Sequence, residues 1–450
     1  MGAHVAGSGR AADMSGFTPL DDPAALPSAY LRAAAPPPEA PPLAGAATAE
    51  VAIVGGGFSG LSAALHLAER GVSVILLEAR DLATGGSGRA FGQVVPYAKH
   101  GEAHILRHFG NAAGTRLIEA LGRGPDLVWE LIDRHGIACD DRRSGLIFAA
   151  HAASAEGGLR DRAAFWQARG APVEMLDAGQ CAALIGSHRY ATAMIDRRGG
   201  HINPLAYAFG LAHAAARAGV RLHAQSRVTS LAQDGGGWRL LTDAGAVRAG
   251  RIVICAGAYA DDLWPGLRQT VIPIRAHQLV TVPLSANLRA TILPGGQSLT
   301  DTRRLYSGIR LLADGRLHLS VDGAGFGRSG ETYADKAAQR ARGLFPQLGE
   351  IAFEEGWTGW VDMSADQYPH LHRLAEGAWA VIGLSGRGIA FGTLLGREVA
   401  RRLLDGDKAE TFMPVTPLKR IAVRPFAAPL VGALMSWYRV RDRIELGGAG

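Results

Sequence analysis

The chain has 450 residues, of which 48% are hydrophobic and 20% charged, enough for two domains with a substantial apolar core. Its formal net charge of +6 is spread along the chain without a basic block interleaved with aromatic residues, which argues against a nucleic-acid-binding protein. The sequence has no run of eighteen apolar residues, so we expect no transmembrane segment, and its three widely separated cysteines exclude a disulfide framework or cysteine metal site and fit a reducing cytoplasm.

The first 48 residues form an N-terminal extension rich in Ala, Pro and Gly. They lack a compact apolar segment behind a basic start, so they do not resemble a secretion signal. The composition predicts disorder from Met1 to Pro23. Proline-rich residues from Ala25 to Leu43 could lie across the folded body as an extended arm.

The stretch Glu50–Glu78 predicts a strand, a glycine turn, a helix and a second strand that ends in an acid. Gly55, Gly57 and Gly60 supply G-x-G-x-x-G, in which the glycines permit the tight turn, the approach of a pyrophosphate and close packing of the helix. The helix N-terminus then offers free N–H groups to phosphate. Glu78 is placed to accept hydrogen bonds from a ribose and disfavours a 2′-phosphate, which leaves NAD or FAD as the dinucleotide.

A second strand, glycine turn and helix occur near the other end of the chain, with Gly383, Gly386 and Gly388 in the turn. Because strands of a parallel sheet are joined by crossovers, the two glycine turns can lie side by side. We therefore predict an α/β fold in which a discontinuous Rossmann-type domain alternates with a mixed-sheet α+β substrate domain. The predicted boundaries are 49–135, 195–268 and 370–410 for the dinucleotide domain, 136–194 and 269–369 for the substrate domain, and 411–450 for a C-terminal tail or helix.

Six ordered pieces of sequence resemble the D-amino-acid-oxidase-like flavoenzymes, the group that includes glycine, sarcosine and γ-glutamylputrescine oxidases. They are VAIVGGGFSGLSAALHLAERG, GGSGRAFGQ, GGHINPLAYAFGLAHAAARAGV, RIVICAGAYA, GWTGW followed by DQYP, and GLSGRGIAFGTLLGREVA. The SGRxxGQ loop and the N-terminal arm are most similar to the γ-glutamylputrescine oxidase branch.

This resemblance implies FAD as the cofactor. The cofactor-binding residues that it implies are Gly55, Gly57, Phe58, Ser59, Gly60, Glu78, Ala79, Arg80, Ser87, Gly88, Arg89, Gly92, Gln93, Val228, Ala256, Gly257, Gly386, Arg387, Gly388 and Ile389. Some relatives attach the flavin through a histidine in the loop after the ribose acid or a cysteine near the C-terminus. This sequence has neither, so we expect FAD to be held non-covalently. Sarcosine oxidases also place a lysine near the flavin, but no lysine lies between Lys99 and Lys336, so efficient use of oxygen would need Arg275 or His277 to supply the positive charge.

The activity that the resemblance implies is oxidation of a C–N bond in a small amine or amino acid, with a γ-glutamylputrescine-like amine favoured. Hydride passes to flavin N5, the imine hydrolyses, and oxygen or another acceptor reoxidises the flavin. Alternatives are a dehydrogenase that passes electrons to a quinone or carrier protein, a tRNA-modifying oxidase and a non-catalytic flavoprotein.

The candidate catalytic or substrate-contacting residues are His277, Tyr306, Arg310 and Trp357. Arginine can bind a substrate carboxylate with two parallel hydrogen bonds. A solvent-facing strand arginine, a satisfied core histidine and a tryptophan that fills the domain interface are equally consistent with the sequence. The apolar stretch Pro425–Tyr438, followed by arginines, indicates either a helix that closes the domain or an interfacial helix.

Overall fold

The computed structural model describes residues 19–21, 26–305, 307–322, 330–406 and 411–446. Most of the region predicted to be disordered, Met1–Pro23, and the candidate residue Tyr306 lie outside the described residues.

Twelve α-helices and eighteen β-strands are formed by the described residues. The strands are β1 Gly45–Val54, β2 Val74–Leu77, β3 Gln93–Val94, β4 Leu146–Ala149, β5 Val173–Leu176, β6 Ala193–Asp196, β7 Gly200–His201, β8 Arg221–His223, β9 Ser230–Asp234, β10 Gly237–Leu241, β11 Gly245–Ile254, β12 Val271–Pro283, β13 Ser298–Asp301, β14 Gly308–Leu311, β15 Arg316–Asp322, β16 Phe353–Ser364, β17 His370–Ala375 and β18 Ala378–Ile382. The helices are α1 Ser28–Leu31, α2 Phe58–Ala68, α3 Glu102–Phe109, α4 Asn111–Gly122, α5 Gly124–His135, α6 Glu156–Gln167, α7 Ala178–Ile185, α8 Pro204–Arg217, α9 Ala286–Arg289, α10 Gly330–Leu344, α11 Gly388–Asp405 and α12 Ala427–Glu445.

The first sheet has the strand order β17-β18-β11-β1-β2-β8, with β10 and β9 added beside β11. Strands β18, β11, β1, β2 and β8 run parallel, so residues as far apart in sequence as Gly45 and Gly245 become neighbours through helical crossovers. Val51, Ala52 and Ile53 of the central strand β1 have no solvent-exposed surface, because elements cover both faces of the sheet. Helices α2, α8 and α11 pack together against it.

The second sheet has the order β16-β12-β15-β14-β13-β4-β6-β5 and is mixed, since β13 pairs with β4 in parallel while its other pairs are antiparallel. The longest strand, β12, pairs along its length with both β15 and β16. The fold is therefore mixed α/β with a Rossmann-type sheet and a second, mixed sheet. Most strands of the two sheets come from the two sets of segments assigned above to two domains, but β1 begins before residue 49 and β6 crosses the predicted boundary between 194 and 195. Those boundaries stay a prediction.

The N-terminal arm lies across the folded body along residues 26–43. The backbone N–H groups of Ser28 and Ala29 donate to the carboxylate of Glu355 at 2.6 and 2.7 Å. Farther along, the N–H of Leu43 donates to the Ser226 hydroxyl at 2.8 Å. These bonds tie the arm to both sheets, as the extended-arm interpretation anticipates. Among the helices of the described residues, none is both long and apolar enough to cross a bilayer.

Candidate functional site: a cofactor cavity between the two sheets

The first glycine turn joins β1 to α2 through backbone geometry that larger residues would disrupt. Gly55 has φ +111°, and a Cβ there would lie 2.6 Å from the carbonyl oxygen of Cys255. A Cβ on Gly60 would collide with the carbonyl oxygen of Gly55. Helix α2 follows Gly57, which has no side chain to cap it, and the N–H of Phe58 donates to Ser87 Oγ at 3.0 Å. The remaining N–H groups of the first turn are left for a ligand.

Glu78 follows β2, close to this turn. Its Oε2 accepts the N–H of Gly56 at 2.6 Å, and its Oε1 accepts the N–H of Arg80 at 3.0 Å. Burial raises the pKa of this carboxyl, while the hydrogen bonds from the backbone oppose the shift. Each carboxylate oxygen has a further lone pair, so Glu78 can still accept a hydrogen bond from a ribose hydroxyl.

A cavity of about 950 Å³ extends from this turn between the two sheets. That volume is at the upper end of the range for ligand clefts, as a dinucleotide with a small substrate requires. Fifteen of the twenty residues predicted to bind the cofactor line it: Gly55, Gly57, Phe58, Ser59, Glu78, Ala79, Arg80, Ser87, Arg89, Val228, Ala256, Gly257, Gly386, Arg387 and Gly388.

The other five predicted residues, Gly60, Gly88, Gly92, Gln93 and Ile389, lie behind the lining. Gln93 is among the residues that the resemblance implies for cofactor binding, but its Nε2 donates to Ser298 Oγ at 3.1 Å within the protein. Gly92, with φ +100°, packs closely against the backbone of Ile202. A Cβ on Gly88 would lie 2.5 Å from the carbonyl oxygen of Ala83, so this glycine is needed for the fold of the loop.

The second glycine turn forms the far end of the cavity. Gly383, Ser385 and Gly386 all have positive φ, at +80°, +52° and +83°. The turn is held by Asp362 of β16, whose Oδ2 accepts the N–H groups of Gly383 and Leu384 at 2.7 and 3.0 Å. Burial raises the pKa of Asp362 to about 6, against the effect of these hydrogen bonds. Helix α11 begins directly after the turn, so its positive dipole end faces the cavity.

Asp362 was not identified from the sequence, because nothing in its own segment shows that β16 lies beside a turn twenty residues later. The family-like segment DQYP begins at Asp366, but the carboxylate that holds the glycine turn is Asp362, four residues earlier.

Lys99 was also missed. It lines the cavity, with its Nζ 3.7 Å from Met363 Sδ and its Cε near Gly386. The side chain is accessible to solvent because it opens into the cavity. The surrounding protein and the neighbouring Arg387 lower its pKa to about 8. Lys99 therefore brings a lysine to the cavity in addition to Arg275, one of the two cations that the sequence suggested, whereas His277 does not line it.

His277 and Trp357 do not line the cavity. His277 stacks on Tyr333, with ring centroids 3.6 Å apart, and burial lowers its pKa to about 4. Its neighbours Ala276 and Gln278 line the cavity from the other face of β12. Trp357 donates from Nε1 to the carbonyl oxygen of Arg89 at 3.1 Å.

Arg310 lies in a buried polar network behind the cavity lining and is 1% exposed. It donates to the carbonyl oxygen of Ile202 at 2.9 Å, to the Tyr30 hydroxyl at 3.1 Å and to His318 Nδ1 at 3.2 Å. Burial and this guanidinium lower the pKa of His201, also in the network, to about 3. None of Arg310, His277 and Trp357 lines the cavity, which is at odds with their contacting a substrate. Arg310 and Trp357 donate to protein partners, and His277 stacks on Tyr333. Instead, Trp360 lines the cavity, with the Arg275 guanidinium 4.6 Å from the centroid of its ring.

The described lining contains nine arginines and lysines and four acids, and two of these arginines, Arg162 and Arg304, are paired with acids outside the lining. The cations are Arg80, Arg89, Lys99, Arg162, Arg227, Arg275, Arg303, Arg304 and Arg387, and the acids are Glu78, Asp261, Asp301 and Asp362. Such a cavity attracts anionic ligands.

Comparison with known proteins agrees with this geometry. Residues 50–402 match the family DAO, described as FAD dependent oxidoreductase. Gamma-glutamylputrescine oxidoreductase of Escherichia coli (strain K12) is 31% identical over 401 residues, covering 88% of this chain and 93% of that protein. A probable oxidoreductase, OrdL, of Haemophilus influenzae is 29% identical over 376 residues, covering 82% of this chain and 86% of that protein. The crystal structure of glycine oxidase from Geobacillus kaustophilus superposes with a TM-score of 0.70 at 25% identity, covering 83% of this chain and 99% of that one.

Proposed function

We propose, because the chain belongs to the DAO family of FAD-dependent oxidoreductases, that it oxidises the C–N bond of a small amine that also carries a carboxylate. FAD is its cofactor, and amines or amino acids are its substrate class. A γ-glutamylputrescine-like amine is the favoured substrate, which the 31% identity to gamma-glutamylputrescine oxidoreductase supports.

The charge of the cavity lining is the main observation that supports this proposed substrate. Nine cationic and four acidic side chains surround the space that the cofactor and substrate share. Free putrescine has two ammonium groups and would be repelled. Its γ-glutamyl derivative replaces one of them with an amide and adds an α-ammonium and an α-carboxylate, so its net positive charge is halved and it carries a carboxylate that a cation can bind. Arg275, held over the face of Trp360, is the proposed partner for that carboxylate.

The residues present fit FAD. The turn at Gly55–Ser59 with the N-terminus of α2 would hold the pyrophosphate, Glu78 the ribose, and the turn before α11 the flavin end of the cofactor. When bound, FAD accepts a hydride from the carbon next to the amine nitrogen.

The protein contributes a dry and electrostatically polarised surface. Ile272, Ile274 and Trp360 give the cavity apolar walls, which favour the neutral amine over the ammonium form. The N-terminus of α11 and the Lys99 ammonium both favour negative charge at the far end of the cavity. Since Lys99 supplies a cation there, we propose oxygen as the electron acceptor. A dehydrogenase that uses a quinone or carrier protein is the second candidate, favoured by the exposed apolar surface of α12.

Anaerobic mixing of the FAD-loaded protein with candidate amines tests the proposal, with loss of the oxidised-flavin absorbance as the readout. We expect γ-glutamylputrescine to reduce the flavin at least roughly tenfold faster than putrescine at subsaturating concentration, which corresponds to ~1.4 kcal/mol of better binding. Sarcosine, glycine and D-amino acids complete the screen. If putrescine is as good a substrate, or if none of these amines reduces the flavin, the proposal is wrong.

Arg275→Met is the matched test of the carboxylate contact. It should raise the KM for γ-glutamylputrescine with little change in the weak reaction of putrescine. Arg248→Met is the control, because Arg248 lies on β11 with 59% of its side chain exposed. Hydrogen peroxide formed in one-to-one proportion with amine consumed under air would support oxygen as acceptor, and its absence would support the dehydrogenase.

A further inference from the structure

Exposed apolar side chains concentrate on the C-terminal helix. Among the described residues, ten large apolar side chains are exposed, and eight of them lie between Val415 and Ile444. Six of these follow one face of α12 and the residue before it: Phe426, Leu430, Leu434, Trp437, Val440 and Ile444. Spacings of three and four residues keep them in a single stripe, which we call the α12 stripe. Single exposed apolar residues are ordinary, but a continuous patch indicates an interaction site.

The opposite face of α12 packs on the protein. The stripe is therefore not the face with which this helix contacts the rest of the fold. Val431, Met435 and Tyr438 line the cofactor cavity from this helix, and Leu434 of the stripe, although 46% exposed, also borders it. On the protein side, Arg304 donates to Asp442 Oδ1 at 2.8 Å and to Glu445 Oε1 at 2.6 Å. The helix therefore forms a wall of the cavity, and the other five stripe residues lie on its outer surface.

The charges around the stripe are nearly all positive. Residues 411–446 contain six cationic residues, Lys419, Arg420, Arg424, Arg439, Arg441 and Arg443. The two acids among these residues, Asp442 and Glu445, both pair with Arg304 of the body, and Glu445 also pairs with Arg441 at 3.5 Å. Arg441 and Arg443 are exposed, and the guanidinium of Arg441 lies 5.9 Å from the centroid of the Trp437 ring. The outer side of α12 thus joins an apolar face to cationic flanks.

We propose that the α12 stripe docks on the surface of a bilayer that contains anionic phospholipid. An amphipathic helix with an apolar face, arginines beside it and a tryptophan at its centre binds at the boundary between headgroups and acyl chains. Its arginines add attraction to anionic headgroups. The other face stays on the protein, so the helix lies in the plane of the membrane. A symmetric pair of chains is disfavoured as the occupant, because a two-fold axis through the stripe would bring the same arginines together.

Vesicle sedimentation with the FAD-loaded full chain tests this. We expect the protein to sediment with phosphatidylcholine vesicles that contain phosphatidylglycerol, to stay in solution with phosphatidylcholine alone, and to be released as salt is raised. Leu430→Ser combined with Trp437→Ser should weaken binding roughly tenfold or more, since about half of each side chain is available to lipid. Arg443→Glu should weaken binding to the anionic vesicles.

Val282→Ser is the matched control, because Val282 is an exposed apolar residue on β12 and 44% accessible. It should bind vesicles as the unaltered protein does, and all variants should retain the same flavin content. Failure to bind either kind of vesicle would overturn the proposal. It would also be overturned if the protein bound both kinds of vesicle equally well and Arg443→Glu did not change that binding. If the protein forms a dimer without lipid and Trp437→Ser converts that dimer to monomers, the stripe is a self-association surface, and this result would also overturn the proposal.

Discussion

Gly396 lies where the two helices that begin at the cofactor cavity touch each other. A Cβ on this residue of α11 would lie 2.5 Å from the carbonyl oxygen of Ser59 and 2.6 Å from Ser62 Cβ, both on α2. Contacts below 3.0 Å are not tolerated, so Gly396→Ala must separate the helices by about 0.5 Å or more. Ser62 Oγ also donates to the carbonyl oxygen of Thr393 at 2.7 Å across this contact, and the separation would stretch that bond.

The expected magnitude follows from three effects. Overpacking costs about 1–3 kcal/mol, the weakened hydrogen bond up to ~1 kcal/mol, and the better helix propensity of alanine returns ~1 kcal/mol. The free energy of unfolding should therefore fall by about 1.5 kcal/mol at the middle of these ranges and by no more than about 3 kcal/mol. Because the N-termini of both helices line the cavity, FAD affinity should fall as well.

Urea unfolding of the protein and fluorescence titration of the apoprotein with FAD measure the two effects. Gly158→Ala in α6 is the control, since nothing lies within 4 Å of its Cβ, and it should leave FAD affinity unchanged and stability equal or higher. Gly392→Ala, whose Cβ would lie 3.2 Å from Phe58 Cβ, should give a smaller loss. Unchanged stability and FAD affinity in Gly396→Ala would refute the close-packing argument.

Three further predictions concern charged groups at or near the cavity. Lys99→Met should slow reoxidation of the reduced flavin by oxygen, whereas Lys99→Arg should largely preserve the rate. In the unaltered protein the reoxidation rate should fall as pH rises through about 8, where the Lys99 ammonium loses its proton. A reoxidation rate that does not depend on pH in stopped-flow mixing would contradict the role of that charge. Arg310→Leu should lower the thermal midpoint of unfolding, because Tyr30 and the other buried partners of Arg310 lose their hydrogen-bond donor. The KM for the substrate should be unchanged in the protein that folds. A large increase in KM with normal stability would indicate that Arg310 contacts the substrate. Since the pKa of Asp362 is raised from 3.8 to about 6, the folded state binds more protons than the unfolded state between those pH values, so this carboxyl makes stability fall as pH rises from about 4 to 6. Asp362→Asn should remove that part of the pH dependence, as unfolding midpoints across the range would show.

The sequence alone determined the cofactor turn and its immediate partners. The glycines at 55, 57 and 60, the helix that follows and the acid at Glu78 act within one βαβ unit, so their geometry depends on local backbone rules. The same holds for α8, which begins at the proline after Asn203, whose side chain caps the helix. The second glycine turn could also be predicted from the sequence, because its strand, turn and helix are contiguous in the chain.

Only the tertiary structure decided which distant side chains reach the cavity. Lys99 and Asp362 enter it from segments separated from the glycine turns in sequence, and no periodicity marks them. The directions in which the His277 and Arg310 side chains point could not be predicted, for a different reason. In β12 and β14 the residues around them are mostly buried on both faces, so the alternation that would reveal which face meets the cavity is absent. The register of these strands is set by long-range pairing. It places both side chains outside the cavity lining, His277 against Tyr333 and Arg310 among its buried hydrogen-bond partners.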